Sequence, residues 1–225
     1  MRIVQNVFEP KASRILRVLL LNPGRTWTIR KLASEAGVAY GYVHAIVATL
    51  TRNRYVVRNE AYRLEVVDPI RILRRWAAYH QFDAVNTVSN YYTFEREVDN
   101  LVKGFRSKAI DHALTGLAGA WLVAPQVRPI AVDAYVHSQR QEKRLAQDLE
   151  LKLIPKEGNV RLIIPYDDGV FYKPQVIDEV NVVSNVQLFV DLYNHPARGE
   201  EAAASLLPLI EKDWSRALLG AKRNV

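Results

Sequence analysis

Three features of the sequence predict an α+β chain in two parts. Between residues 26 and 66, apolar residues recur at helical spacing on either side of Gly37 and then alternate at period two. Beyond residue 80, helical and strand-like patterns follow one another in turn. The charge divides at the same place: residues 1–80 carry fourteen Lys and Arg against five Asp and Glu, whereas residues 81–225 carry seventeen against nineteen. The first part is therefore at +9 in a chain whose total is +7, as a phosphate-facing module requires. Membrane surfaces and acidic proteins also attract basic modules, so the charge is read together with the pattern. The expected domains are 1–80 and 81–225.

Ile15, Leu16, Val18, Leu19 and Leu20 give an apolar face to a first helix that starts near Pro10 and stops at Asn22, Pro23 and Gly24. Trp27 falls in a short extended link, and Thr28 is placed to cap a second helix over about Ile29 to Ala36. That helix turns Ile29, Leu32 and Ala33 inward and leaves Arg30, Lys31 and Glu35 outside. Gly37 supplies a tight turn, because glycine adopts positive φ without strain. A third helix over about Tyr40 to Asn53 places Val43, Ile46, Val47 and Leu50 at i, i+3, i+4 and i+7, facing the other two.

The opposite face of the third helix carries Gly41, His44, Ala45, Ala48 and Arg52, with Tyr42 and Thr49 on one flank and Tyr40 near the other edge. Two strands are expected at Arg54 to Arg58 and Ala61 to Val66, with Tyr55, Val57, Tyr62, Leu64 and Val66 on one face. Asn59 and Glu60 form their very short tip, flanked by Arg58 and Arg63. Asp68 then caps a helix that has Pro69 at its first position and continues to His80. Arg71, Arg74 and Arg75 lie on the outer side of this helix and Trp76 packs inward. Three arginines on one helix are also what an ordinary solvated face looks like.

This order of elements is that of a winged helix-turn-helix, and its expected partner is double-stranded DNA. The predicted contacts are Thr28, Arg30, Lys31, Tyr40, Gly41, Tyr42, His44, Ala45, Ala48, Thr49, Arg52, Arg54, Arg58, Asn59 and Arg63. Tyr40, Tyr42, His44 and Thr49 are the candidate base readers, and an Ala methyl is suited to a thymine methyl. No bidentate Arg or Asn stands at the centre of the groove-facing helix, so phosphate contacts and DNA shape are expected to carry much of the affinity. Winged-helix shapes also serve as protein-docking modules.

In the second part a strand is expected at Ser89 to Phe94, a helix through about Arg106, and a strand near Ile110 to Leu114. Thr115 is placed to cap the helix LAGAWLVA, whose Gly116, Gly119 and Ala120 permit close packing. Ile130 to Val136 and Val160 to Pro165 read as buried strands separated by a charged helix over Ser138 to Leu149. Ser184 with Gln187 three residues on forms a capping box before an apolar helix to Tyr193. Gly199, Glu200 and Glu201 open the last helix, with its carboxylates at the positive end. Pattern alone takes this part as far as mixed α/β.

Four segments, ALTGLAGAWLVAP (113–125), RPIAVDAYV (128–136), GNVRLIIPYDDGVF (158–171) and VVSNVQLFVDLYNHPARGEEAA (182–203), stand behind that N-terminal module. Together they resemble the AbiEi-type antitoxins of type IV toxin-antitoxin systems. The resemblance covers most of the chain and is most specific in the last segment. It implies a transcriptional regulator whose N-terminal domain represses its own operon at promoter repeats. It further implies a C-terminal domain that counters a nucleotidyltransferase-like toxin without a stable complex. Arg198 and Glu200, in the last segment, are candidate partner-facing residues, beside the simpler reading that they belong to a helix start.

Other classes find less support. The five histidines, at 44, 80, 112, 137 and 195, show neither HxH nor HExxH spacing, and no cofactor motif, phosphate loop or GxSxG elbow occurs. Asp133 with Glu150 and Lys152 is the best catalytic grouping, of the kind a metal-dependent nuclease uses. It arises easily by chance, and no enzyme activity, metal or cofactor is expected. A ligand-sensing regulator is a further alternative, with no residue pattern that marks a pocket. The absence of cysteine excludes disulfides and thiolate chemistry, and no apolar run approaches the roughly 20 residues of a membrane span. A cytoplasmic location is expected. No heptad seam decides between monomer and homodimer.

Overall fold

The computed structural model describes residues 6–106 and 111–223, which form two compact units. The first comprises residues up to His80 together with the stretch from Pro208 onward, and the second runs from Gln81 to Leu207. The C-terminal stretch thus groups with the N-terminal unit, which the charge step at residue 80 does not indicate.

In the first unit, α1 (Pro10–Leu20), α2 (Ile29–Ala36) and α3 (Tyr40–Arg52) pack around one apolar centre. Ile15, Leu16, Leu20, Leu32, Val43, Ile46 and Leu50 are completely buried, each contributing about 1.5–3 kcal/mol by leaving water. α2 begins where the Thr28 hydroxyl accepts the Lys31 amide at 3.2 Å and ends at Gly37, whose φ of 62° is left-handed. α1 also buries a charge that its apolar face does not announce. Arg17 lies with its guanidinium 5.0 Å over the Trp76 ring and donates to Ser13 Oγ at 2.7 Å.

Two short antiparallel strands follow, β1 (Val56–Arg58) and β2 (Leu64–Val66), and Trp27 adds an isolated bridge to Leu64. The expected alternation is out of phase here. Val56 and Leu64 face in, whereas Val57 and Tyr62 are 41% and 80% exposed. Arg54 and Tyr62 both adopt positive φ, 58° and 55°, so each expected strand is broken before its ladder begins and the inward phase is reset. Asp68 caps α4 (Pro69–Tyr79) by accepting the Arg71 amide, with Pro69 at its start. From the C-terminal stretch, Trp214 is buried and its indole donates to the Leu20 carbonyl at 2.7 Å.

The second unit is built on a seven-stranded mixed sheet. Its strands are β3 (Thr87–Tyr92), β4 (His112–Thr115), β5 (Val132–Val136), β6 (Lys152–Ile154), β7 (Val160–Ile164), β8 (Gln175–Ile177) and β9 (Val180–Val182), in the spatial order β6-β3-β7-β5-β4-β9-β8. Helices α5 (Phe82–Val85), α6 (Val98–Gly104), α7 (Gly116–Val123), α8 (Gln139–Asp148) and α9 (Asn185–Tyr193) connect and cover it, and α10 (Gly199–Arg223) begins here. β5 pairs parallel to β7 and antiparallel to β4.

Several expectations shift in this unit. Ile130 is 82% exposed, because β5 begins only where Val132 pairs with Val160. Phe94 is 89% exposed, beyond the end of β3 at Tyr92. Ile110 lies outside the described residues. The β8–β9 hairpin escapes the sequence reading because its turn, Asp178-Glu179, takes φ of 48° and 66° without a glycine.

Thr115 does not cap α7; its hydroxyl instead donates to Asp191 Oδ2 at 2.6 Å. Tyr135 donates to the same oxygen at 3.0 Å, and Gln187 Nε2 donates to Asp191 Oδ1 at 2.6 Å. Ser184 caps α9 by accepting the Gln187 amide. The grouping of Asp133 with Glu150 and Lys152 is not assembled. Asp133 is buried and bound bidentately by Arg161, while β6 lies three strands from β5, about 14 Å at the usual strand spacing.

Gly116, at φ 59°, packs against the Asp133 carboxylate, where an added Cβ would come within 2.5 Å of Oδ2. Gly116→Ala is expected to cost at least about 1 kcal/mol, read as a lower denaturant midpoint. Burial, assisted by the Arg161 guanidinium, holds the His195 imidazole below its ordinary 6.5 against the pull of Asp133 and Asp83. The unfolded chain therefore takes up this proton first, and stability falls as pH drops below about 6.5. His195→Gln should flatten that slope relative to the parent in parallel urea titrations from pH 7 downward.

Candidate nucleic-acid interface

The turn at Gly37 carries the chain from α2 into α3 and leaves one face of α3 uncovered. At its N-terminal end Tyr40 is 55% exposed, with its ring 6.4 Å from that of His44. Gly41 is exposed, and a Cβ added there would meet nothing within 4 Å. His44, Ala45 and Ala48 are half-buried, and Arg52 is exposed at the C-terminal end. The centre of this face is therefore a shallow, small-residue strip with rings at one end and an arginine at the other.

The expected base readers separate in the structure. Tyr42 is half-buried, its hydroxyl donates to Glu9 Oε1 at 2.6 Å, and Lys11 Nζ stands 5.1 Å over its ring. Burial and the Glu9 carboxylate push the Tyr42 phenol well above its ordinary range. Thr49 is buried, and its hydroxyl bonds back to the Ala45 carbonyl at 3.3 Å, the usual way a helical threonine satisfies itself. Tyr40 and His44 are left as the accessible candidates, because the flank of α3 that carries Tyr42 and Thr49 is covered.

The candidate cations lie on α2, just after α3 and on the β1–β2 hairpin. Arg30 and Lys31 are exposed on α2, Arg54 follows α3, and Arg58 and Arg63 flank the tip of the β1–β2 hairpin. Asn59 braces that tip: its side chain accepts the Arg63 amide at 2.9 Å and donates to Glu65 Oε1 at 2.6 Å. Arg58 Nη1 donates to the Tyr62 carbonyl at 3.2 Å. Among the described residues, Arg30, Lys31, Arg52, Arg54, Arg58 and Arg63 make no ion pair, whereas Arg25 stands 3.9 Å from Glu35. Thr28 is engaged in its cap.

Tyr62 is missed by the sequence reading. It projects from the hairpin tip in a left-handed conformation, with its amide bonded to the Asn59 carbonyl. The signal that finds it is Asn59 at the head of a four-residue turn, which takes Tyr62 out of the strand.

A protein-family model described as transcriptional regulator, AbiEi antitoxin, type IV toxin-antitoxin system matches residues 65–211. The chain belongs to the AbiEi antitoxin family. No curated protein and no solved structure matches it. The match starts in β2 and takes in the whole second unit, so the strip on α3 rests on its own geometry in this AbiEi-family chain. Among the described residues no group of His, Asp or Glu is arranged to hold a metal ion, and no helix is long and apolar enough to cross a membrane.

The two partner-facing candidates lie in the most specific segment of the resemblance. Arg198 is exposed but occupied, bidentate to Glu201 at 2.6 and 2.8 Å. Glu200 is exposed in the first turn of α10. For Gly41, open space predicts a change that helps the fold: Gly41→Ala should raise the unfolding free energy by about 0.5–1 kcal/mol through helix propensity. A lower stability in denaturant titration would mean that the strip is packed against something.

Proposed function

We propose that this AbiEi-family chain binds duplex DNA through a winged helix-turn-helix in its first unit and represses its own operon at promoter repeats. The observation that carries the reading is the small-residue face of α3 around Gly41, Ala45 and Ala48, in a unit whose exposed Arg30, Lys31, Arg52, Arg54, Arg58 and Arg63 form no ion pair among the described residues. Small residues at the centre allow close approach to base edges, and the surrounding guanidinium groups supply phosphate contacts. Tyr40 and His44 are the readers in reach of bases, and Arg58 and Arg63 at the wing grip the backbone or an adjacent minor groove. With so few base-reading groups, DNA shape contributes much of the preference.

The second unit is the antitoxin part, acting in the cytoplasm against a nucleotidyltransferase-like toxin without forming a stable complex with it. Arg198 and Glu200 are offered to that role only as an exposed helix start. No chemistry of its own is assigned to the chain.

The test is equilibrium binding to the duplex upstream of the chain's own reading frame and to a shuffled duplex of equal composition. Tighter binding to the first is expected, and equal binding would sink autoregulation. Arg58→Ala with Arg63→Ala should flatten the slope of log affinity against log salt by about 0.9 per lost phosphate contact. A parental slope in that variant would remove the wing arginines from the interface.

A further inference from the structure

We infer that α4 is a second backbone-gripping element, in which Arg71, Arg74 and Arg75 bind phosphates of the same duplex beyond the segment met by α3 and the wing. The inference rests on the DNA-binding reading of the first unit and extends it to a helix that a helix-turn-helix reading does not use. All three side chains are exposed, and at i, i+3 and i+4 they share one face of the helix. The helix sequence PIRILRRWAAY contains no acidic residue, and among the described residues these arginines make no ion pair. Like charges one turn apart repel, and a polyanion laid along them relieves that repulsion.

Two of the three are held in place. The Arg71 and Arg75 guanidinium groups stand 5.2 and 5.9 Å over the ring of Tyr55, which is itself 1% exposed. Packing on an aromatic ring restricts the rotamers of a long side chain, so less entropy is lost when a phosphate is bound. Arg71 and Arg75 are about 6 Å apart along the helix axis at 1.5 Å per residue. Successive phosphates of one strand advance about 3.4 Å along the duplex, so the pair spans roughly two steps.

Tyr55 also joins this patch to the interface already described. It directly follows Arg54 at the end of α3, and its carbonyl accepts the Val67 amide where the chain leaves β2 for α4. The buried Tyr55 ring thus ties the Arg71 and Arg75 face of α4 to the chain as it leaves α3 through Arg54. That link to the candidate interface favours the duplex over an acidic protein as the occupant of α4.

The experiment measures affinity of the full chain for its own upstream duplex over a salt series, for the parent and three variants. In the first variant Arg71, Arg74 and Arg75 are all replaced by Gln, in the second all by Lys, and in the third Arg74→Gln stands alone. The Gln triple is expected to flatten the log–log salt slope by about 0.9 per contact, roughly 2–3 in all, and by the same amount on shuffled duplex. The preference for the upstream sequence stays unchanged, because phosphate contacts carry no sequence information. The Lys triple keeps the parental slope. Among the described residues Arg74 stands over no ring, so Arg74→Gln leaves the fold intact and is expected to lower the slope by about 0.9 by itself.

A parental slope in both Gln variants, with the Arg58 and Arg63 pair still sensitive, overturns the role of α4 and leaves DNA binding standing. Failure of the parent to bind any duplex overturns the reading on which the inference rests.

Discussion

The apolar seam that seals Val43, Ile46, Val47 and Leu50 against the other helices of the first unit decides which face of α3 is left outside. That face keeps Gly41, Ala45 and Ala48 at its centre, with Tyr40 and His44 toward one end and Arg52 at the other. The left-handed turn at Gly37 then sets where α3 departs from α2. With both fixed, the strip of Gly41, Ala45 and Ala48 has no freedom to turn inward, and the cations of α2 and the hairpin are left exposed. The same core takes in Arg17 over the Trp76 ring and the Trp214 indole on the last turn of α1. The first unit is thus completed by residues far away in sequence.

In the second unit the organising groups are buried polar ones. Asp191 accepts from Thr115, Tyr135 and Gln187, tying β4, β5 and α9 together around one carboxylate. Asp133 and Arg161 form a bidentate pair across the parallel strands β5 and β7, with Asp83 3.6 Å from Arg161 and Gly116 lying against the carboxylate. A buried carboxylate left without its partners is costly, so these networks fix the register of the central strands. They also account for polar residues that, read singly, suggest chemistry.

Helices were the most legible elements, because their signals are local. Thr28, Gly37, Asp68, Pro69 and Ser184 bound their helices as their chemistry dictates, and α2 spans the predicted residues. The second unit's family was legible from segments such as VVSNVQLFVDLYNHPARGEEAA, and the family match over 65–211 agrees. What escaped was set by non-local pairing or by glycine-free turns. Tyr62 and Val57 were assigned to the wrong face because positive φ at Arg54 and Tyr62 is not written in those residue types. Thr115 was given a cap because its distant partner, Asp191, is 76 residues away. Of the site, exposure of the cations was legible, but not the engagement of Tyr42 with Glu9 or of Thr49 with its own helix.

The proposed meeting of the α3 face and the exposed arginines of the first unit with a duplex leaves a residue-level signature. Backbone amide shifts of the labelled full chain, recorded on addition of the upstream duplex, test it most directly. The account predicts that the perturbed residues concentrate on the exposed side of α2 and α3, at the Asn59 to Arg63 tip and along α4, with the β-sheet of the second unit silent. Perturbations confined to residues 81–207, or none at a duplex concentration that saturates binding, would contradict it.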